Sequence, residues 1–215
     1  MKYAQIKKRA RKLLTRGKLI WIPMMRIKYT VANTQYDKLF DAYLYKKSGF
    51  RLLLLALIRD PSDFIFEEVE KPKKYTLDPM VTNPNEIIND LIEFREVLIK
   101  KKEEIDKKIR LTPFAQAATL FIPMVGKVYS KPIDDLWLIE NVLSILDALQ
   151  ISPDRKINII SHELLFIPII INLDEKKAYE PALSTKESKG ITFLLSKYKI
   201  VRKFFQQLIE SLEYS

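Results

Sequence analysis

The chain of 215 residues contains no cysteine, one histidine and only four glycines. Without cysteine it has no disulfide framework and no thiolate nucleophile, which excludes thiol proteases of the papain type. With His162 as the single histidine, the Cys/His ligand sets of structural zinc sites are excluded too. The glycines stand alone at Gly17, Gly49, Gly126 and Gly190. Neither the GxGxxG dinucleotide fingerprint nor a phosphate-binding P-loop is therefore present.

Long apolar segments are also missing. The longest apolar runs are 52–58, 164–171 and 191–195, far below the roughly 20 residues that cross a bilayer. No apolar stretch of the signal-peptide kind follows the N-terminus. We therefore expect a soluble, cytoplasmic protein with no transmembrane segment. Abundant Lys, Glu and Ile with scarce Gly, His and Cys form a thermophile-like composition, which favours an archaeal or viral source.

Acidic residues are absent from the first 36 positions, where ten Lys or Arg residues occur. The whole chain has 37 basic and 27 acidic residues and a net charge of +10. The remaining 179 residues are therefore balanced, with 27 of each sign. A segregated block of like charge attracts polyanions, so this block is the main functional signal of the sequence.

Nucleic acid is the partner that this basic block favours, because closely spaced cations neutralise phosphates and release counterions. Two alternatives remain open: a basic amphipathic helix on an anionic membrane surface, or a solvated helix facing an acidic partner subunit. The predicted phosphate contacts are Lys7, Lys8, Arg9, Arg11, Lys12, Arg16, Arg26 and Lys28.

The residues around this block predict a basic helix followed by a β-meander, which together make a first module, residues 1–75. Apolar residues recur at helical spacing from Lys2 to Arg16, and Gly17 is expected to end the helix in the left-handed conformation. From Leu19 to Val31 the pattern changes to a period of two, which is typical of a strand. Two more strands are predicted at 40–46 and 51–58, with Gly49 in the turn between them.

A proline-rich connector leads to a second module, residues 84–215, and the sequence leaves open whether both modules share one core. Asn83 and Pro84 predict a helix start, with the helix running to about Arg110. A strand (120–129), a helix (133–150), two strands (156–160 and 164–173) with a return through Ala178, and a helix from Thr192 to about 213 follow. The fold class is therefore α+β, with a mixed β-sheet flanked by about three helices.

An aromatic–Ile–Pro motif recurs in the segments 19–25, 119–125 and 164–170. Proline lacks the ladder N–H, so strands that carry it are expected at sheet edges or bends. Free edges pair readily with other chains. This pattern is the basis of an alternative function, an assembly or scaffold subunit that docks on protein partners or on its own copies through edge strands.

A third function is a metal-dependent nuclease. Asp154 after Pro153, followed by Glu175, Lys176 and Lys177, loosely resembles the Pro-Asp…Glu-x-Lys pattern of restriction-type nucleases. That resemblance implies that the carboxylates hold a metal and that a lysine stabilises the developing charge. The run 174–177 is equally typical of a polar hairpin tip.

The favoured function is a non-catalytic nucleic-acid-binding protein that belongs to a larger nucleoprotein assembly. Its contacts are expected mainly at phosphates, so that sequence specificity is low. No catalytic residue, metal ligand or cofactor is assigned. The sequence leaves open whether the ligand is DNA or RNA, and whether it is single- or double-stranded.

Overall fold

A computed structural model describes residues 11–63, 76–110, 123–180 and 187–213. The chain divides into two compact units. Unit 1 combines residues 1–87 with residues 158–215, and unit 2 is the intervening segment 88–157. The fold class is α+β, as predicted.

Unit 1 is built on a β-hairpin of strand β1 (Lys18–Val31) and strand β2 (Thr34–Asp41). Val31 pairs with Thr34, so the loop consists of Ala32 and Asn33. Both loop residues have positive φ, 46° and 67°, as the two-residue hairpin turn with the right-handed twist requires. The predicted alternation of β1 is confirmed in its second half, where buried and part-exposed residues alternate from Arg26 to Val31.

Two short helices follow β2 where two strands were predicted. They are α1 (Leu44–Ser48) and α2 (Leu52–Ala56), so the predicted strands at 40–46 and 51–58 are wrong beyond Asp41. Leucine and lysine are good helix formers, and a short apolar run does not by itself distinguish a strand from a buried helix. Gly49 has the predicted positive φ, 65°, but it ends α1 instead of turning a hairpin.

The sheet is completed by β3 (Ile157–Asn172) and β4 (Lys177–Tyr179) in the order β2-β1-β3-β4, all antiparallel. The two strands predicted within 156–173 are one continuous strand, and the predicted return through Ala178 is confirmed. Pro23 and Pro168 lie in β1 and β3, the two inner strands. The proline-bearing strands β1 and β3 are therefore not the edge strands of the sheet, and the predicted alternative, a bend at each proline, stays a prediction.

The last helical segment of unit 1 consists of two helices, α5 (Lys189–Lys197) and α6 (Lys199–Glu213). A single helix from 192 was predicted. The break is at Tyr198, whose extended backbone (φ −112°, ψ 113°) interrupts the helix. Helix α5 packs against α2 and β4, with Gly190 in close approach to the Ala56 backbone. Helix α6 buries Val201, Phe205, Leu208 and Ile209.

Unit 2 contains two long helices, α3 (Pro84–Arg110) and α4 (Pro123–Ala148). The first four residues of α3 belong to unit 1, and unit 2 begins at residue 88. The predicted bounds of α3 are confirmed, and the Asn83 side chain accepts a hydrogen bond from the Asn85 N–H at 3.0 Å. Residues 123–129 are helical, so the strand predicted at 120–129 is wrong there; residues 120–122 lie outside the described residues. Pro123 suits the first turn of a helix, where its missing N–H is not needed.

Helices α3 and α4 are linked by two ion pairs, and α3 carries a seven-residue repeat of buried residues. Leu91, Leu98 and Ile105 are buried and spaced by seven, as in a coiled-coil seam. The ion pairs Arg95–Asp147 (3.0 Å) and Lys102–Glu140 (2.9 Å) step along the two helices in opposite directions. The helices are therefore antiparallel, and the charged second half of α3 is held by α4.

Gly17 precedes β1 and lies against β3. A Cβ atom at this position would be 2.7 Å from Ile170 Cγ2 and 2.9 Å from the Ile171 carbonyl oxygen. Its φ lies outside the left-handed region, so the predicted left-handed helix end is wrong. Glycine is needed here for space. Residues 11–14 are helical as predicted, and residues 1–10 lie outside the described residues.

The Gly17→Ala variant is expected to lower the free energy of unfolding by about 1–3 kcal/mol, because the β3 backbone must move to admit the methyl group. Chemical denaturation of the variant and the parent protein measures the difference. Gln207→Ala, an exposed change on α6, is the control and is expected to stay within about 0.5 kcal/mol. An unchanged Gly17→Ala variant would contradict this packing.

Candidate nucleic-acid interface

The predicted phosphate contacts fall into three groups in the structure. Lys7, Lys8 and Arg9 lie outside the described residues. Arg11 and Lys12 lie at the start of the described chain and are exposed. No carboxylate among the described residues lies within ion-pair distance of either side chain. These two cations are therefore accessible to solvent.

Arg16 is exposed and only loosely held. Its guanidinium nitrogen lies 3.6 Å from Glu175 Oε1, and 73 % of its side chain is accessible. An exposed pair of this kind contributes little stability, since water screens both charges. The Arg16 guanidinium is therefore only weakly held by Glu175. Glu175 lies in the loop between β3 and β4, and the neighbouring Lys18 pairs with Glu213 of α6 at 2.5 Å.

Arg26 is already neutralised within the sheet. Its Nε and one terminal nitrogen donate to the two Asp37 oxygens at 2.9 and 2.8 Å, and its other nitrogen donates to Glu163 at 2.8 Å. The hydrogen bond from Arg26 lowers the pKa of Asp37, and its bonds to Asp37 and Glu163 raise the pKa of Arg26. Lys28 Nζ lies 4.0 Å from the same Asp37. A phosphate would have to compete with two carboxylates at Arg26 and with Asp37 at Lys28. Arg26 and Lys28 are therefore the least accessible cations among the described members of the predicted set.

A second basic surface, which the sequence analysis missed, lies on α5 and the start of α6. We call it the lysine surface; its members are Lys189, Phe193, Lys197, Lys199, Ile200 and Lys203, all of them exposed. Phe193 is 37 % and Ile200 61 % accessible. No described carboxylate lies within ion-pair distance of the four lysines.

A sequence signal for the lysine surface does exist. Between Glu187 and Glu210 the chain carries five basic residues and no acid. The apolar spacing of α6 predicts only its buried face. Only the break at Tyr198 brings the end of one helix and the beginning of the next to the same exposed corner.

Arg202 lies at the same junction and caps the end of α5. Its NH1 group donates to the carbonyl oxygens of Leu195 (2.6 Å) and Ser196 (3.0 Å), at the end of α5. A cation at a helix C-terminus stabilises the unpaired carbonyl groups and the helix dipole. The Tyr198 ring lies against Phe50 and Phe193, with centroids 5.2 and 6.4 Å away. The junction is therefore a fixed feature of unit 1.

The net charge belongs to unit 1 alone. Residues 88–157 contain 11 basic and 11 acidic residues, so the chain's net +10 resides in the rest. The two acid-free basic segments, 1–36 and 188–209, both belong to unit 1. Unit 1 therefore carries the whole of the net positive charge.

The residues of the nuclease hypothesis have local partners. Asp154 accepts a short hydrogen bond from the Ser152 hydroxyl, which lowers the pKa of this carboxyl. Glu175 faces Arg16 and lies 3.5 Å from the Tyr179 hydroxyl. Among the described residues no three His, Cys, Asp or Glu side chains are grouped so as to hold a metal ion. His162 lies exposed on β3.

No family model matches the chain, and no curated protein or solved structure matches it either. Within the described part of the chain, no helix has both the length and the apolar content that crossing a bilayer requires. The residues and geometry above therefore carry the functional argument by themselves.

Proposed function

We propose that this protein binds nucleic acid without catalysis, through phosphate contacts made by the basic segment before β1. The observation that carries the proposal is the run of seven cations without an acid in residues 1–17, the part of the acid-free block that precedes β1. It is supported by the exposure of Arg11 and Lys12 and by the absence of a described carboxylate beside them. Binding of this kind is mainly electrostatic and independent of sequence.

The geometry ranks the predicted contacts. Arg11, Lys12 and Arg16 are exposed and have weak partners or none among the described residues. Arg26 would lose three charge-assisted hydrogen bonds by turning to a phosphate, and such bonds are stronger than neutral ones. We therefore assign the phosphate contacts among the described residues to Arg11, Lys12 and Arg16.

The triple variant Arg11→Ala, Lys12→Ala, Arg16→Ala tests this assignment. For the parent protein we expect log K to fall with log salt with a slope of about −4 to −5 on duplex DNA, as for about five neutralised phosphates. The variant should lose about 2.7 of that slope, roughly 0.9 per contact, and at least about 10-fold in affinity at 0.1 M salt. Fluorescence anisotropy of labelled oligonucleotides over a salt series measures both quantities.

A matched control separates local contacts from overall charge. The variant Lys100→Ala, Lys101→Ala, Lys107→Ala removes the same number of charges from exposed positions of α3. It should keep the parent slope and affinity. Equal losses in both variants would reduce the effect to net charge, and a parent protein that binds no oligonucleotide would refute the proposal.

A further inference from the structure

We propose that the lysine surface binds single-stranded nucleic acid, with the Phe193 ring stacked on a base and the four lysines placed at phosphates. This inference rests on the proposed function and extends it. It adds a second contact region on unit 1, and it gives the protein a preference for unpaired strands. Neither property follows from the basic segment before β1, whose contacts are phosphates alone.

The charge of the lysine surface is available to a ligand. Lys189, Lys197, Lys199 and Lys203 are exposed, and each lacks a described carboxylate within ion-pair distance. The nearest acids along the chain, Glu187 and Glu210, lie beyond its two ends, and Glu187 pairs with Lys177 at 3.5 Å. Unpaired like charges held close together repel one another, and a polyanion relieves that repulsion.

The order of side chains along α5 suits a strand that alternates phosphate and base. Lys189, Phe193 and Lys197 are spaced by four residues, which places them on one side of the helix at intervals of about 6 Å. The Lys197 ammonium lies 5.5 Å from the centroid of the Phe193 ring, within the range of a cation–π contact. An exposed ring between cations is the arrangement that single-strand binding proteins use.

A membrane surface fits these residues less well. Helices that lie in a bilayer interface insert a broad apolar face. The apolar face of α6, formed by Val201, Phe205, Leu208 and Ile209, is buried in unit 1. Phe193 and Ile200 are the apolar side chains that the lysine surface exposes. Two side chains give little insertion, whereas one exposed ring is enough for stacking.

Unpaired nucleic acid is favoured over duplex because stacking needs an accessible base. In a duplex the base faces are covered by neighbouring pairs, so Phe193 would add nothing to the phosphate contacts. In a single strand, base–aromatic stacking supplies a large part of the affinity. A difference between the affinities for single-stranded and duplex nucleic acid that depends on Phe193 therefore identifies the stacking role of this residue.

The test compares Phe193→Leu with the parent protein on a 20-nucleotide oligo(dT) and on a 20-bp duplex. Leucine retains an apolar side chain beside Tyr198 but cannot stack. We expect about 5- to 150-fold weaker binding of oligo(dT), the range reported for loss of one stacked base, and less than a 2-fold change on the duplex. Trp137→Leu, at an exposed aromatic residue of unit 2, is the matched control and should change neither affinity.

A second variant makes the result independent of how Phe193→Leu folds. Lys197→Ala, Lys199→Ala, Lys203→Ala changes exposed side chains alone, and it should reduce the salt slope on oligo(dT) by about 2, roughly 0.7 per contact. Thermal unfolding followed by circular dichroism should be close to that of the parent protein for both variants. Vesicles containing phosphatidylserine serve as the membrane probe, and no lysine-dependent binding to them is expected.

The outcomes separate this inference from the proposed function. If the parent protein binds oligo(dT) and depends on Arg11, Lys12 and Arg16, but neither lysine-surface variant changes binding, this inference is overturned and the proposed function remains. Lysine-dependent binding to the vesicles without an effect on oligo(dT) overturns it as well, in favour of a lipid surface. A parent protein that binds no oligonucleotide overturns both.

Discussion

Replacing Arg59 with methionine is expected to lower the free energy of unfolding by about 3–5 kcal/mol, the range for breaking a buried ion pair by removing one partner. Arg59 Nε donates to Glu180 Oε2 at 2.8 Å, and its NH2 group donates to Glu180 Oε1 and to the Ser188 hydroxyl. The Glu180 side chain is only 3 % accessible. The variant leaves a carboxylate without its cation in the interior of unit 1.

The same arginine also closes the end of a helix. Its NH1 group donates to the carbonyl oxygens of Ala56 (2.9 Å), the last residue of α2, and of Ile58 (2.7 Å), two residues further on. Its backbone forms two hydrogen bonds with Leu39 of β2, at 2.9 and 3.1 Å. Arg59 therefore joins three parts of unit 1, and the backbone bonds survive the substitution. The expected loss measures the side chain alone.

A double-mutant cycle provides the control. Glu180→Gln is expected to be milder than Arg59→Met, because the Arg59 side chain is 19 % accessible and its head group can turn toward water. The double variant Arg59→Met, Glu180→Gln should recover part of the stability, since no unpaired charge remains buried. Urea denaturation of the four proteins gives the coupling energy. Strictly additive losses would contradict a direct pair.

The second large effect concerns Asp41, the last residue of β2. Its side chain is fully buried and accepts hydrogen bonds from the backbone N–H groups of Tyr43 (3.0 Å), Leu44 (3.0 Å) and Tyr45 (2.8 Å). Asp41→Ala leaves these three donors without partners at the start of α1. We expect the free energy of unfolding to fall by about 2–4 kcal/mol. Each buried unsatisfied group costs about 1–3 kcal/mol, and the backbone at the start of α1 can relax in part. Thermal and urea unfolding measure this decrease.

The pH dependence of stability gives an independent check on Asp41. Burial raises the pKa of this carboxyl to about 6, against the three hydrogen bonds, which lower it; in an unfolded chain the pKa is about 3.9. The native state therefore binds the proton more tightly. The stability that protonation of Asp41 contributes is complete below about pH 4 and is lost as the pH rises through about 6.

Asp41→Asn is the variant for this comparison, because asparagine keeps one acceptor oxygen and does not titrate. The difference in unfolding free energy between the parent protein and the variant should fall by about 2–3 kcal/mol between pH 4 and pH 7. Subtracting the unfolding free energy of the variant from that of the parent protein cancels the contributions of other titrating groups. Asp37 is one of them; its lowered pKa acts with the opposite sign at lower pH. A difference that stays constant over this range would contradict the raised pKa.

Local sequence signals predicted the elements that are marked by a helix-start motif or by strict polar–apolar alternation. Asn83 and Pro84 marked the start of α3, and the alternation from Arg26 to Val31 marked β1. The errors lie where apolar residues run together, at 52–56 and near Pro123. Such runs are compatible with a buried strand or a buried helix, and the packing of the rest of the chain decides between them.

The candidate site could be predicted where the basic residues of the sequence remain exposed in the folded protein. Arg11, Lys12 and Arg16 remain exposed. The partners of Arg26 were not predictable, because Glu163 comes from a strand 137 positions away in the sequence. The lysine surface was missed since it depends on a helix break at Tyr198, where no proline or glycine gives a signal.

The division of unit 1 into two chain segments has a consequence for biosynthesis. Strand β1 needs β3 as its neighbour, yet the ribosome completes residues 88–156 before β3 begins at Ile157. At about 5–20 residues per second, the nascent β-hairpin waits several seconds for its third strand. Throughout that delay the unpaired edge of β1 can aggregate with other chains or bind chaperones. Helices α3 and α4 can form in the same interval.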